Sequence, residues 1–172
     1  MEKQVQGMTV RMAEERDVPR LMELFRQARE IMRADGNTEQ WAGEYPSRDV
    51  VFEDIRLGRS FVIEDDGGTA VGTFAFIPGI EPTYARIYDG AWLEDSLPYA
   101  TIHRLASTQE SRGVAEACFE WAWQRCKNLR VDTHADNHIM QHCIIKAGFT
   151  YCGIIYLADG APRLAYQKLQ SI

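Results

Sequence analysis

The chain has 172 residues, which fits one domain with a single substantial core. Hydrophobic residues make up 45% and charged residues 26%, and 25 acidic side chains face 19 basic ones without a long basic block. That balance is ordinary for a soluble globular protein and disfavours nucleic-acid binding, which relies on clustered Lys and Arg. The stretch Met1-Glu-Lys-Gln-Val-Gln-Gly7 lacks the apolar run of a signal peptide, and no segment is long enough to span a bilayer, so a cytoplasmic protein with no membrane partner is expected.

Thr9 to Met12 reads as a short first strand. Asp17 then reads as an N-cap with Pro19 in the first turn, where its missing N–H costs little. Val18, Leu21, Phe25, Ala28 and Met32 recur at steps of three and four, which predicts a helix with one buried face. Asp35-Gly36-Asn37 ends it, and Thr38 to Pro46 reads as a loop carrying Trp41 and Tyr45. Ser47 is expected to cap a second helix with apolar positions at Val51 and Ile55, closing near Gly58.

Ser60 to Glu64 and Ala70 to Phe76 predict a hairpin around Asp65-Asp66-Gly67-Gly68. Pro78 to Pro98, with Tyr84, Tyr88 and Trp92, reads as a strand extension followed by a lid-like loop. A strand from Tyr99 to near Ser107, a helix from about Gly113 to Lys127 and a strand from Leu129 to Thr133 follow. That order implies a crossover between two parallel strands. Asn137 to Ala147 is the last helix, stopped by Gly148, and Thr150 to Leu157 with Arg163 to Leu169 forms a closing hairpin around Ala158-Asp159-Gly160. The expected architecture is α+β: a mixed sheet of six or seven strands with helices on both faces.

Cys118, Cys126, Cys143 and Cys152 form no Cys-x-x-Cys pair, so buried reduced thiols are expected. His138 and His142 stand four apart on one helix face near Asp132, His134 and Asp136, a set that zinc could use. No cysteine pair or Glu-containing zinc-protease motif accompanies them, and no metal is expected.

The most informative stretch is Glu110-Ser111-Arg112-Gly113-Val114-Ala115, which leaves an apolar strand and leads directly into a helix. Small residues there let backbone N–H groups from Ser111 to Ala115 approach a phosphate, with the positive end of the helix dipole behind them. The stretch resembles the Gln/Arg-x-x-Gly-x-Gly/Ala loop of the GNAT superfamily. The run from Asn137 through Ile144 to Gly148-Phe149 resembles that family's Asn-x-x-Ala-x-x-Leu-Tyr-x-x-x-Gly-Phe segment. Both occur in order with the crossover between them, and the order of elements is similar over essentially the whole chain.

The resemblance implies a GNAT-like fold with a splayed parallel strand pair, and transfer of an acetyl group from acetyl-coenzyme A to a primary amine. It implies that Leu105, Ala106 and Ser107 line the pantetheine arm from one strand and that Asn137 meets it from the other side. Arg112 and Lys146 would screen phosphates. Two positions depart from the pattern. Glu110 stands where a Gln or Arg is usual, and Ile144 falls where the family tyrosine protonates the departing thiolate. His134, at the end of the fifth strand, is the preferred base or proton relay, and its alternative role is to cap the following turn. His103 is the weaker candidate and could be a core histidine. Trp41, Tyr45, Tyr84 and Tyr88 border the acceptor side in that family and either wall a pocket for a small-molecule or peptide amine or plug the core. Direct attack is expected, since Cys143 replaces a family leucine and reads as core. A homodimer through sheet edges or the closing hairpin is compatible with the sequence. The competing reading is a non-catalytic module of the same fold that keeps coenzyme A as a sensing ligand, favoured by Ile144.

Overall fold

The computed structural model describes residues 7–171, so the opening heptapeptide reading falls almost wholly outside the described residues. The elements run β1 (Thr9–Met12), α1 (Val18–Ala34), α2 (Arg48–Arg56), β2 (Ser60–Glu64), β3 (Ala70–Pro78), β4 (Ala100–Ser107), α3 (Val114–Arg125), β5 (Asn128–Thr133), α4 (His138–Lys146), β6 (Thr150–Tyr156) and β7 (Pro162–Leu169). The strands form one seven-stranded sheet in the order β1-β2-β3-β4-β5-β7-β6. Every neighbouring pair is antiparallel except β4 and β5. Among the described residues no helix is long and apolar enough to cross a membrane.

Each face of the sheet has its own apolar layer. On one, Leu21, Leu24, Phe25 and Ala28 of α1 pack against Val51, Val62 and Ala106. On the other, Ala117, Cys118, Phe119 and Ala122 of α3 and Ile144 of α4 pack against Phe74, Ile102, Leu129 and Val131. The periodicity read from α1 therefore marks a buried face, as expected, although Met32 is only half-buried. Ser47 caps α2, its hydroxyl accepting from the Val50 N–H at 3.3 Å.

Two local expectations are corrected. Asp17 does not cap α1 with its side chain. Its carboxylate accepts from the Glu14 N–H and from both terminal nitrogens of Arg11, each at 2.8 Å, and so ties β1 to the helix entrance. The segment between Pro78 and Pro98 is not a lid. Tyr84, Trp92 and Tyr99 pack with Cys152, Ile155 and Ala165 in a third buried cluster. The buried Gln167 side chain accepts from the Leu93 N–H (2.8 Å) and donates to the Glu94 carbonyl (3.0 Å). Arg130, 1% exposed, lies 4.0 Å from the ring centres of both Trp92 and Tyr99. Tyr88 pairs with Ile154 by two backbone hydrogen bonds of 2.8 Å, where Gly90 and Gly153 leave no room for a Cβ. A segment pinned along its length by strand side chains is part of the core.

Candidate functional site

β4 and β5 share only two register pairs, Ala100 with Leu129 and Thr101 with Arg130. Beyond Thr101 the two strands no longer pair with each other. One cause is visible on the other side of β4. Thr73 pairs with Ala106 but Ala75 with His103, so Arg104 and Leu105 together oppose Phe74 in a bulge. Arg104 takes φ of 52°, a left-handed conformation that non-glycine residues seldom adopt. Its guanidinium grips the buried Asp54 of α2 with bonds of 2.7 and 2.8 Å, and Asp54 also accepts from Arg59 at 2.9 Å. Burial opposes the Arg104 charge, but hydrogen bonding to Asp54 overcomes it and the guanidinium pKa is raised.

Past the parting, a cavity of about 440 Å³ lies between the end of β4, α1 and the start of α4. Leu105, Ala106 and Ser107 line one wall, Asn137 and Met140 another, and Ala28 and Met32 of α1 a third. Thus four of the expected arm-contacting residues, from two elements far apart in sequence, come together. Asn137 caps α4, its Oδ1 accepting from the Met140 N–H at 3.1 Å, while its Nδ2 donates to Gln40 Oε1 at 3.0 Å.

A second groove, of about 550 Å³, separates α3 from α4. Arg112, Gly113, Ala115 and Lys146 line it together with Lys168, a cation the sequence reading missed because it comes from β7. Glu116 and Glu120 also border it. Gly113 stands at the N-cap of α3 with φ of 82°, so the chain turns there and the first-turn N–H groups have no carbonyl partner within the helix. Val114 itself is buried. It seats against Gly72 of β3, where an added Cβ would lie 2.3 Å from Val114 Cγ1. Only the backbone of Val114 is therefore available to a ligand. Ser111 is partly exposed, and Arg112 and Glu110 are exposed. Neutral backbone donors flanked by Arg112, Lys146 and Lys168 match the chemistry of a diphosphate.

The two candidate histidines differ in what their nitrogens do. His134 Nδ1 accepts from the Asp136 N–H at 3.0 Å. Its one basic lone pair is engaged in the turn before α4, and the ring has only an N–H to offer. This is the capping arrangement, the alternative role that the sequence allowed His134. His103 Nε2 instead lies 3.6 Å from Glu81 Oε2, and Nδ1 has no hydrogen-bond partner among the described residues. The neutral tautomer that pairs with Glu81 carries its hydrogen on Nε2 and leaves the Nδ1 lone pair free. Glu81 is held down to about 2, first by His103 and then by the Thr83 hydroxyl, which donates at 2.8 Å. By strand alternation His103 and Asp132 stand two residues past the last paired positions, on the face occupied by Arg130 and Tyr84.

The four acceptor-side aromatics do not converge. Trp41 stacks edge-on against Phe25 of α1 with ring centres 5.6 Å apart. Tyr45 is exposed and accepts from Arg104 at 3.3 Å. Tyr84 is 1% exposed and its hydroxyl donates to Asp132 at 2.5 Å. Burial, then the Asp132 charge, raises its pKa well above the usual phenol value, so it stays a proton-bearing core residue. Tyr88 makes an isolated bridge to Ile154 of the edge strand β6, its ring against Tyr156. Tyr84 and Trp41 thus fill the core, whereas Tyr45 borders the Arg104 bulge. Ile144 is fully buried beneath α4. Burial raises the Cys143 thiol pKa, with Lys146 opposing, so a nucleophilic thiolate is disfavoured. No cluster of three metal-ligating side chains occurs among the described residues.

No protein-family model matches the chain, and no curated protein shows significant similarity to it. Solved structures do. An acetyltransferase of the GNAT family from Streptococcus agalactiae 2603 is 35% identical, with a TM-score of 0.90 over 98% of this chain and 99% of that one. An aminoglycoside acetyltransferase, AAC(6')-Ib, solved with coenzyme A, aligns at 21% identity over 95% of each chain with a TM-score of 0.63. Spermidine N-acetyltransferase from Vibrio cholerae, solved with CoA and spermine, aligns at 16% identity over 95% of this chain and 94% of that one, with a TM-score of 0.59. The latter two are similar in fold alone.

Proposed function

Because the chain belongs to the GNAT superfamily of acyltransferases, we propose that it moves an acetyl group from acetyl-coenzyme A to a primary amine by direct attack. The observation that carries this reading is the early end of the β4–β5 ladder, which opens the cavity beside Leu105, Ala106 and Ser107. A pantetheine arm carries amides and can complete an unpaired strand edge by main-chain hydrogen bonds. In this reading Asn137 flanks the arm, and the backbone of Ser111 to Ala115 receives the diphosphate, with Arg112, Lys146 and Lys168 screening its charge. The related folds that hold coenzyme A support the choice of donor.

The acceptor reacts as a free amine. Its nitrogen forms a bond to the thioester carbonyl carbon, the C–S bond then breaks, and the electron pair leaves on sulfur. In this reading His103, two residues before Leu105 on β4, takes the proton shed by the attacking nitrogen on Nδ1, with Glu81 Oε2 3.6 Å from its other ring nitrogen. A protonated amine and acetyl-coenzyme A thus yield the amide, the free thiol and one proton. The thiolate has no tyrosine donor at Ile144. A thiol with a pKa near ~8.5 is a tolerable leaving group and takes its proton from the imidazolium or from water. Tyr45, at the edge of the Arg104 bulge, borders the acceptor's approach.

Thiol release from acetyl-coenzyme A across a panel of primary amines tests this. The expected result is release that requires an amine and yields its N-acetyl product. The buried Ile144 favours one other reading, a binding module of the same fold. Tight acetyl-coenzyme A binding without turnover on any amine would establish the module and overturn the transferase.

A further inference from the structure

Two residues that line the cavity, Asn137 and Asn37, are joined through Gln40 in a chain of three side-chain amides whose orientation is forced from one end. Asn137 Oδ1 accepts from the Met140 backbone, so Asn137 Nδ2 must be the donor to Gln40, 3.0 Å away. Gln40 Oε1 is thereby an acceptor. Asn37, also 3.0 Å from that oxygen, can meet it only with Nδ2. Asn37 Oδ1 is left pointing elsewhere. The residue is 1% exposed, and this oxygen has no partner in the protein. Flipping Asn37 would set two carbonyl oxygens against each other, so the chain cannot relieve the orphan by itself. Its backbone is fixed as well, the N–H donating to the Met32 carbonyl at 2.8 Å just past Gly36.

Asn37 lines the 440 Å³ cavity. Asp35 and Asp136 border the same cavity, and among its lining residues there is no Lys or Arg. The groove between α3 and α4 instead carries three cations, Arg112, Lys146 and Lys168, beside Glu116 and Glu120. A buried carbonyl without a donor is unfavourable, and a ligand bringing an N–H would relieve it.

We propose that Asn37 is a substrate-binding residue whose Oδ1 accepts a hydrogen bond from an N–H of the molecule that enters this cavity. Asp35 and Asp136 favour a cationic N–H. The inference rests on the transferase reading and adds to it a recognition residue from the α1–α2 loop. Two sources share the chemistry: the amine acceptor, and an amide of the thioester arm.

The test compares the full-length protein with its Asn37→Ala and Asn37→Asp variants. Acetyl-coenzyme A affinity is measured by calorimetry, and KM is measured for the amine that supports the fastest thiol release. Asn37→Ala should weaken one of the two by about tenfold or more. A raised KM with unchanged acetyl-coenzyme A affinity identifies the acceptor as the donor of the N–H, and Asn37→Asp, which keeps the accepting oxygen but sets a second oxygen against Gln40 Oε1, should then raise KM less than Asn37→Ala does. A weakened acetyl-coenzyme A affinity identifies the arm. If Asn37→Ala folds and changes neither quantity, the proposal is overturned while the transferase reading stands. A wild-type protein that neither binds acetyl-coenzyme A nor releases thiol overturns both.

Discussion

At the scale of single residues, the decisive contrast is between His103 on β4 and His134 just past the end of β5. His134 spends its lone pair on a backbone N–H, whereas His103 keeps one free and has a carboxylate behind it. His103→Gln should therefore lower kcat/KM for amine acetylation by roughly 100-fold or more, with acetyl-coenzyme A affinity unchanged. Its remaining rate should climb with pH and follow only the free-amine fraction of the acceptor, a profile that steady-state kinetics from neutral to alkaline pH would record. Glu81→Gln removes a positioning group and should shift the wild-type profile rather than abolish turnover. Glu81 also makes a stability prediction with a definite sign. Its carboxyl is depressed from 4.5 to about 2 in the fold, so its contribution is present above pH 4.5 and fades as pH falls toward 2. Urea midpoints of wild type and Glu81→Gln should differ near pH 6 and converge near pH 2. The capping alternative for His134 was legible in the sequence because its partner, Asp136, is two residues away, whereas the Glu81 partner of His103 was not, because a loop brings it there.

At the scale of elements, the splay depends on a strained residue and on what holds it. Arg104 has a left-handed backbone within a strand, and the Asp54 carboxylate of α2 secures its side chain. Asp54→Ala leaves two arginines without their buried partner and should cost about 3 to 5 kcal/mol, read as a lower thermal midpoint. It should also weaken acetyl-coenzyme A binding, because the bulge sets the edge of β4. The other support is Gly72, which admits Val114 and so seats the N-terminus of α3. Gly72→Ala forces Val114 outward and should destabilise the fold by about 1 to 3 kcal/mol, with a matching loss of coenzyme A affinity by calorimetry. Elements with local signals were readable from sequence: the α1 stripe, the Ser47 cap, both hairpins and the strand–helix–strand run. The segment from Pro78 to Pro98 was not. Its anchors, Arg130, Gln167 and Gly153, lie on strands that follow it by tens of residues, and no local pattern announces such contacts.

At the scale of the whole molecule, the formal charge of −6 is unevenly spent. Asp35 and Asp136 border the cavity beside the end of β4 with no Lys or Arg in its lining, whereas the groove between α3 and α4 holds three cations beside Glu116 and Glu120. That division suits a reaction joining an anionic nucleotide thioester to a cationic amine, each approaching the side that attracts it. The two segments of the proposed nucleotide site stand out in the sequence because they are short runs, Ser111 to Ala115 and Asn137 to Phe149. Lys168, Asn37 and the Gln40 link were not, since each acquires its role only when the sheet closes. The most direct test is a crystal structure with acetyl-coenzyme A. The expected result is a diphosphate on the amides of residues 111–115 and an arm alongside Leu105–Ser107, with the thioester where β4 and β5 diverge. Acetyl-coenzyme A bound elsewhere, or β4 and β5 paired along their full length with no room between them, would contradict it.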